Sequence, residues 1–252
     1  MTTEYIATEI QKNIGIITLN NPKALNSINK KMITELASEI DKLNDLSDIR
    51  VIVLKGIEKS FAAGIDIKEL ANNISDAGNI IKSMQYCFNS IVNSEKPIIA
   101  AVSGFALGIG CEIALACDII LATDTAKFGL PELSVGLLPC FGGCSMLMNN
   151  IGRAKLMDML LTGKAMSADD AEKSGLISRV ITESSMVEEY TKIAQRIAML
   201  PPNSVTTAKK SVVALALNQG INMEKLICLS HIESGDFKQT LKNFAQKASS
   251  DK

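Results

Sequence analysis

The strongest constraint on the fold is a repeated order of buried strand, turn and helix. Ile98–Val102 is an apolar run, residues 103–110 form a glycine-rich turn, and residues 111–116 resemble an apolar helix. The same order starts at Ile14–Leu19, which is followed by turn residues and then by an amphipathic helical pattern over residues 29–43. This alternation predicts an α/β domain with helices packed on its sheets.

The character of the chain changes after about Ile181, where helical periods replace clusters of β-branched residues. We expect helices over residues 204–217, 222–232 and 236–247. The predicted division is therefore a core over residues 1–190 that carries the functional site, and a helical C-terminal region over residues 191–252.

Charge and hydropathy exclude several classes of protein. The formal net charge is −1 and the basic residues are scattered, so a nucleic-acid partner is not expected. The Lys209-Lys210 pair fits a solvated helix face better than an anion site. No apolar run reaches the ~18 residues that span a bilayer, and residues 1–5 lack a signal pattern. We expect a soluble, cytoplasmic protein with no membrane partner.

The cysteines and the histidine restrict the chemistry. Six cysteines occur without a CxxC pair, so we expect reduced structural thiols rather than a zinc site or a disulfide framework. His231 is the single histidine, and it lies in a helix-like segment where a packed or surface role is more typical than catalysis. Carboxylates must then carry the acid–base work.

The glycine-rich turn before residue 111 admits two interpretations. Gly108-Ile109-Gly110 supplies a GxG, but Ile113 stands where a dinucleotide-binding fingerprint needs its third glycine. The turn does provide a helix N-terminus, whose N–H groups favour developing negative charge. A second N–H could come from residues 62–66 if that loop folds close by.

Two glutamates have mainly apolar neighbours in the sequence. Glu112 lies in the first turn of the expected helix, and Glu132 follows Phe128-Gly129-Leu130-Pro131. Residue types alone are also consistent with a carboxylate favoured by the helix dipole in the first case and with a loop-surface residue in the second.

Several segments, in order, resemble motifs of the crotonase, or enoyl-CoA hydratase/isomerase, superfamily. They are Asn21–Asn26, Phe61–Lys68, Gly104–Glu112, Cys117–Ile120, Phe128–Glu132, Leu161–Gly163 and Gly175–Ile177. The resemblance covers nearly the whole chain, and successive motifs in one order are far more specific than any single one.

The resemblance implies a spiral of ββα units whose helical C-terminal region serves trimer assembly, as a homotrimer or a dimer of trimers. It implies an acyl-CoA substrate, with Glu112 and Glu132 holding a water and the N–H groups of Ile65 and Ile109 binding the thioester oxygen. No metal, flavin or nicotinamide is expected, since the thioester itself delocalises charge. Further substrate or CoA contacts are expected at Ala24, Ala62, Ala63, Asp66, Ile67, Lys68, Gly108, Pro131 and Cys140.

The implied activity is reversible syn hydration of a trans-2-enoyl-CoA in fatty-acid β-oxidation or a related acyl-CoA pathway, with Glu112 as the base and Glu132 as the acid. Two alternatives stay open: a Δ3-Δ2-enoyl-CoA isomerase, which uses one carboxylate, and a non-catalytic acyl-CoA-binding scaffold. Ile65 and Ile109, where small residues are common in the family, and Cys140-Phe141 in the altered glycine turn are the departures that favour the scaffold.

Overall fold

The computed structural model describes residues 2–216 together with Asn243 and Gln246. The strands of the described region are β1 (Ile6–Gln11), β2 (Ile14–Leu19), β3 (Val51–Lys55), β4 (Ser60–Ala62), β5 (Ile98–Val102), β6 (Phe105–Leu107), β7 (Ile119–Thr123), β8 (Lys127–Gly129), β9 (Met166–Ser167) and β10 (Arg179–Ile181). The α-helices are α1 (Lys30–Asp45), α2 (Ile67–Asn72), α3 (Ala77–Asn93), α4 (Ile109–Ala116), α5 (Gly143–Thr162), α6 (Ala168–Lys173), α7 (Met186–Ala198) and α8 (Pro202–Ala216). The predicted α/β class is confirmed.

The strands form two sheets, and the strands from β3 to β8 alternate between them. One sheet has the order β1-β2-β3-β5-β7-β10 and the other the order β4-β6-β8-β9. From β3 to β8 the chain therefore runs strand, strand, helix, with one strand of each pair in each sheet. This is the spiral of ββα units that the sequence resemblance implies. Most pairings are parallel, while β1 with β2 and β8 with β9 are antiparallel.

The central strands of the larger sheet, β2, β3, β5 and β7, are apolar at nearly every position and are buried on both faces. One face packs against the main core, which includes Ile17, Ile52 and Ala100. The opposite face meets α7 through Tyr190 and Ala194. This two-sided burial explains why β2, β3 and β5 read as continuous apolar runs in the sequence.

Local sequence signals place the helix starts close to where they were predicted. The side chain of Asn29 accepts a hydrogen bond from the Met32 N–H and caps α1. Helix α4 begins at Ile109, two residues before the predicted start, and all of its residues are buried. Its entry is tight, because a Cβ on Gly110 would lie 2.3 Å from the Ala62 carbonyl oxygen.

The C-terminal part of the described chain is helical, as expected. The predicted domain boundary at 190/191 falls inside α7, which packs on the larger sheet. Nothing in these contacts tests the proposed division, which stays a prediction. The expected helices over 222–232 and 236–247, and His231, lie outside the described residues.

Lys209 corrects the expectation of a solvated lysine pair. Its ammonium group is buried and bonds the Asp118 carboxylate at 2.8 Å, whereas neighbouring Lys210 is exposed and pairs with Glu95. Sequence periodicity could not separate the two because Asp118 is distant in the chain. The ion pair between Lys209 and Asp118 links α8 to the residue just before β7.

The described residues lack a membrane-spanning helix and a cluster of metal ligands. None of their helices combines the length and apolarity that a membrane crossing requires. Nor do His, Cys, Asp and Glu side chains in this part of the chain gather into a group of three suited to a metal ion.

Candidate active site

The candidate site lies at the carboxyl ends of three parallel strands of the smaller sheet. Strands β4, β6 and β8 are paired side by side, so the loops that follow them emerge at one edge. Those loops carry residues 63–65, 108–109 and 130–132. In open α/β sheets this edge is where ligands bind, because loop backbone and helix N-termini converge there.

Glycines allow two of these loops to approach each other closely. Gly64 and Gly108 have φ values of +111° and +53°, which disfavour other residues. A Cβ on Gly108 would lie 3.7 Å from the Gly64 Cα. The peptide groups of Ile65 and Ile109, one residue further along each loop, are thereby brought near each other.

The Ile65 and Ile109 N–H groups have the character of anion donors. Ile109 is the first residue of α4, so its N–H has no partner within the helix. Among the residues that the structure describes, neither N–H donates to another backbone or side-chain acceptor. Both side chains line the same cavity, so the departure from small residues affects the cavity wall and leaves the backbone donors in place.

Glu112 is held by the turn that precedes α5. Its Oε1 accepts hydrogen bonds from the N–H groups of Phe141 at 2.8 Å, Gly143 at 3.0 Å and Cys140 at 3.2 Å. The side chain is only 2% exposed. Several N–H donors on one carboxylate oxygen stabilise the ionised form and fix the carboxylate in place.

Glu132 reaches the cavity from the loop that follows β8. It opens a short 3-10 helix, Glu132–Val135, and is 9% exposed. A Cβ on Gly108 would lie 3.0 Å from its Oε1 atom, so the carboxyl group sits against the start of α4. Burial first, and then the nearby carboxyl groups of Glu132 and Glu112, raise the pKa of the Cys111 thiol.

Both glutamates line one cavity of about 110 Å³. Seven of the other eleven predicted site residues line it as well: Ala63, Ile65, Ile67, Gly108, Ile109, Pro131 and Cys140. Four do not. Ala24 and Ala62 lie away from the cavity lining, Lys68 is on the first turn of α2, and Asp66 caps that helix by accepting from the Lys68 and Glu69 N–H groups.

Sequence reasoning missed most of the apolar lining and the donors to Glu112. The cavity wall also includes Leu70, Ile81, Met84, Ser134, Val135, Leu137, Leu138 and Phe141. The glycines at 142 and 143 were the one signal that a backbone turn approaches something closely.

The cysteines agree with expectation at four of the five described positions. Cys87, Cys111, Cys117 and Cys144 are free thiols, and burial raises the pKa of the first three. Cys140 is an exception, since it is disulfide-bonded. The expectation of reduced thiols throughout is therefore wrong at this residue, whose spacing from other cysteines carries no recognisable signal.

Comparison with known proteins gives a consistent result. Residues 9–251 match the family model described as enoyl-CoA hydratase/isomerase. This chain belongs to that family. A probable enoyl-CoA hydratase of Rhizobium meliloti is 39% identical over 98% of this chain and 97% of its own. A probable mitochondrial enoyl-CoA hydratase of Dictyostelium discoideum is 39% identical over 95% of this chain and 87% of its own.

A solved structure agrees with these sequence matches. The crystal structure of the enoyl-CoA hydratase of Bacillus halodurans superposes with a TM-score of 0.85 at 26% sequence identity. The match covers 95% of this chain and 100% of that chain. Membership of the enoyl-CoA hydratase/isomerase family confirms the resemblance seen in the sequence motifs and the predicted fold class. The roles of individual residues and the assembly state remain predictions.

Proposed function

We propose that this family member is an enoyl-CoA hydratase, which adds water reversibly to a trans-2-enoyl-CoA and gives a 3-hydroxyacyl-CoA. The observation that carries the proposal is the presence of two buried carboxylic side chains, Glu112 and Glu132, in one cavity beside the first turn of α4. The two relatives described above bear hydratase names, which supports the same reaction.

The N–H groups of Ile65 and Ile109 activate the substrate in this scheme. Both donate to the thioester carbonyl oxygen and draw electron density from the conjugated double bond. Negative charge develops on that oxygen when water attacks Cβ, and donors already in position stabilise it. Loss of one such donor typically raises the barrier by about 2.7–4 kcal/mol.

The surroundings of the two carboxyl groups give them different roles. Glu112 accepts three backbone N–H bonds, which favour its ionised form, so it serves as the base. A neighbouring negative charge favours protonation of the second carboxyl group, and the pair titrates as a unit. Glu132 is then the acid.

The chemical step balances with one water and no external reagent. Glu112 takes a proton from water while the water oxygen bonds to Cβ, and the π electrons move toward the carbonyl oxygen. The carbonyl then re-forms as Cα takes the proton of Glu132. Proton exchange afterwards restores one ionised and one protonated carboxyl group. No metal, flavin or nicotinamide enters this scheme, because the thioester accepts the charge.

The proposal extends to the assembly and to the CoA contacts. A homotrimer or dimer of trimers is the assembly we expect from the family resemblance, and light scattering coupled to size-exclusion chromatography measures it directly. Contacts of Lys68, Asp66, Ala24 and Ala62 with the CoA moiety would lie outside the cavity that encloses the reacting atoms.

The test compares Glu112→Gln, Glu132→Gln and the control Glu39→Gln. Glu39 is also buried, but it bonds Thr8 and Lys42 far from the cavity. Hydration is followed by the loss of conjugated enoyl-thioester absorbance. We expect both cavity variants to lose hydration and the control to keep it.

Each alternative has its own signature in the same experiment. Near-native turnover by Glu132→Gln would refute the two-carboxylate scheme. Conversion of a 3-enoyl-CoA to the conjugated isomer, without hydration, would select an isomerase. Binding of enoyl-CoA with no turnover at any chain length would select the scaffold.

A further inference from the structure

The turn between β2 and α1, residues 21–28, lies against the loop that carries one of the two proposed N–H donors. Leu25 and Asn26 in this turn have φ values of +49° and +57°, in the left-handed region that few residues other than glycine adopt. Such a backbone persists where the surrounding contacts hold it in place. One source of these contacts is the side chain of Asn26, which is buried.

The Asn26 carboxamide joins the turn to both sheets. Its Nδ2 donates to the carbonyl oxygens of Leu19 at 3.0 Å and of Ser60 and Phe61, both at 3.1 Å. Its Oδ1 accepts from the Asn21 N–H at 2.7 Å. Leu19 ends β2 of the larger sheet, whereas Ser60 and Phe61 belong to β4 of the smaller sheet. Because buried polar atoms need hydrogen-bond partners, this side chain fixes the position of the turn relative to β4.

Ile28 in the same turn pairs with the loop that follows β4. Its N–H donates to the Gly64 carbonyl oxygen at 2.7 Å, and its carbonyl oxygen accepts from the Asp66 N–H at 2.8 Å. These two bonds flank Ile65, which forms a parallel β-bridge with Ile28. In a planar trans peptide the C=O and N–H bonds point in opposite directions. Since the Gly64 carbonyl points at the turn, the Ile65 N–H points away from it.

The two proposed donors differ in what orients them. The peptide of Ile109 is fixed by α4, because the Gly108 carbonyl oxygen accepts from the Glu112 N–H at 3.0 Å at the start of that helix. Ile65 lies between β4 and α2 and belongs to neither element. The direction of its N–H is therefore set by the bond from Ile28 and by the position of the turn.

We infer that Asn26 is a positioning residue of the proposed reaction. Its carboxamide fixes the turn on β4, and the turn orients the Ile65 N–H toward the thioester carbonyl oxygen. This inference rests on the proposed function, which supplies that carbonyl group. Asn26 does not line the cavity, so it acts through Ile65 rather than on the substrate.

Two variants weaken this support to different degrees. Asn26→Gly deletes the carboxamide, and glycine adopts the φ of +57° without strain. Ser60→Ala is milder, because the buried Ser60 hydroxyl donates one hydrogen bond to the turn, to the Leu25 carbonyl oxygen at 2.7 Å. Ser94→Ala is the matched control. Ser94 is also buried and its hydroxyl donates to the Lys96 carbonyl oxygen, but it ends α3 and does not line the cavity.

The first measurement is the carbonyl stretching frequency of bound butanoyl-CoA, labelled isotopically at its thioester carbonyl and read by infrared difference spectroscopy. This saturated thioester has no double bond to hydrate, and hydrogen bonds to its carbonyl oxygen lower the frequency. We expect the frequency to rise in Asn26→Gly, to rise less in Ser60→Ala and to keep its wild-type value in Ser94→Ala. A loss of stability alone would reduce the amount of bound ligand without changing the frequency of the ligand that is bound.

The second measurement is steady-state hydration of a short enoyl-CoA. Loss of one carbonyl donor typically costs about 100- to 1000-fold in kcat. In Asn26→Gly the donor is misdirected rather than removed, so we expect kcat to fall about 10- to 100-fold with a smaller change in KM. Ser60→Ala should lower kcat by about threefold, and Ser94→Ala should keep the wild-type kcat.

The frequency of the bound carbonyl decides the inference. A wild-type frequency in folded Asn26→Gly would overturn it, as would a wild-type protein that does not lower the frequency below its value in an aprotic solvent. If circular dichroism shows Asn26→Gly to be unfolded, Ser60→Ala decides: a frequency above that of Ser94→Ala supports the inference, and an equal one overturns it. The proposed function fails separately, if the wild-type protein lowers the carbonyl frequency but hydrates no enoyl-CoA.

Discussion

Replacing Gly143 with alanine tests whether the turn before α5 positions the proposed base. Gly143 donates its N–H to Glu112 Oε1 at 3.0 Å and is the first residue of α5. It is absent from the glycines with positive φ, so alanine is compatible with its backbone. The added Cβ would lie 2.9 Å from Glu112 Oε1 and 3.0 Å from its Cγ. The substitution therefore acts on the carboxylate without breaking the helix.

The expected size follows from the distances. Unbonded heavy atoms rest at about 3.5–4.0 Å, so the Glu112 carboxylate must retreat by roughly 0.5–1 Å. The three N–H bonds to its Oε1 atom, now 2.8–3.2 Å long, could not all keep their present geometry after such a shift. Misplacement by about 1 Å costs on the order of 100-fold in rate, or about 2.7 kcal/mol of barrier. We expect kcat to fall about 30- to 100-fold while KM changes little, since the apolar wall is untouched.

The assay is steady-state hydration of a short enoyl-CoA, which gives kcat and KM separately. Gly78→Ala is the control, because Gly78 lies in α3 with no atom within 4 Å of its added Cβ. A folded Gly143→Ala variant whose kcat stays within about threefold of wild type would refute the positioning role of the turn.

Two further predictions concern stability and thiol reactivity. Lys209→Met should lower the free energy of unfolding by roughly 1.5–3 kcal/mol, because it removes the hydrogen bonds that the buried ammonium group donates to the Asp118 carboxylate and to two backbone carbonyl oxygens. Exposed Lys210→Met should leave the urea midpoint nearly unchanged, and equal midpoints for the two variants would contradict the role of Lys209 as a buried anchor. Alkylation of the folded protein at mildly alkaline pH, read by mass spectrometry, should modify half-buried Cys144 before the three buried thiols whose pKa burial raises. Modification of the three buried thiols at the rate seen in urea would contradict this expected order of reactivity. They are Cys87, Cys111 and Cys117.

The altered residues at the site can be understood from the geometry. Ile65 and Ile109 keep the backbone N–H groups in place while their side chains narrow the cavity. Phe141 likewise combines a backbone bond to Glu112 with a side chain in the lining. These departures from the usual family pattern are therefore consistent with a smaller acyl site rather than with loss of the reaction.

The sequence by itself determined the class of fold, the family and the identity of the two glutamates. Strand and helix periods are local properties, and the motifs around Gly64, Gly108 and Glu132 depend on short-range backbone requirements such as positive φ. The tertiary structure alone decided the surroundings of those residues. The turn at 140–143 donates to Glu112 from about thirty positions away, Met84 reaches the cavity from another helix, and Lys209 finds Asp118 from ninety-one positions away.

The physical reason is the difference between local and long-range interactions. A hydrogen bond within a helix or a cap involves neighbours in sequence, so residue types predict it. Burial and contact across the cavity depend on how the two sheets and their helices pack. A buried methionine in an amphipathic helix could therefore lie in the cavity wall or in the middle of the core. Met84 and Met32 are identical in that respect, and packing alone separates the one that lines the site from the one that does not.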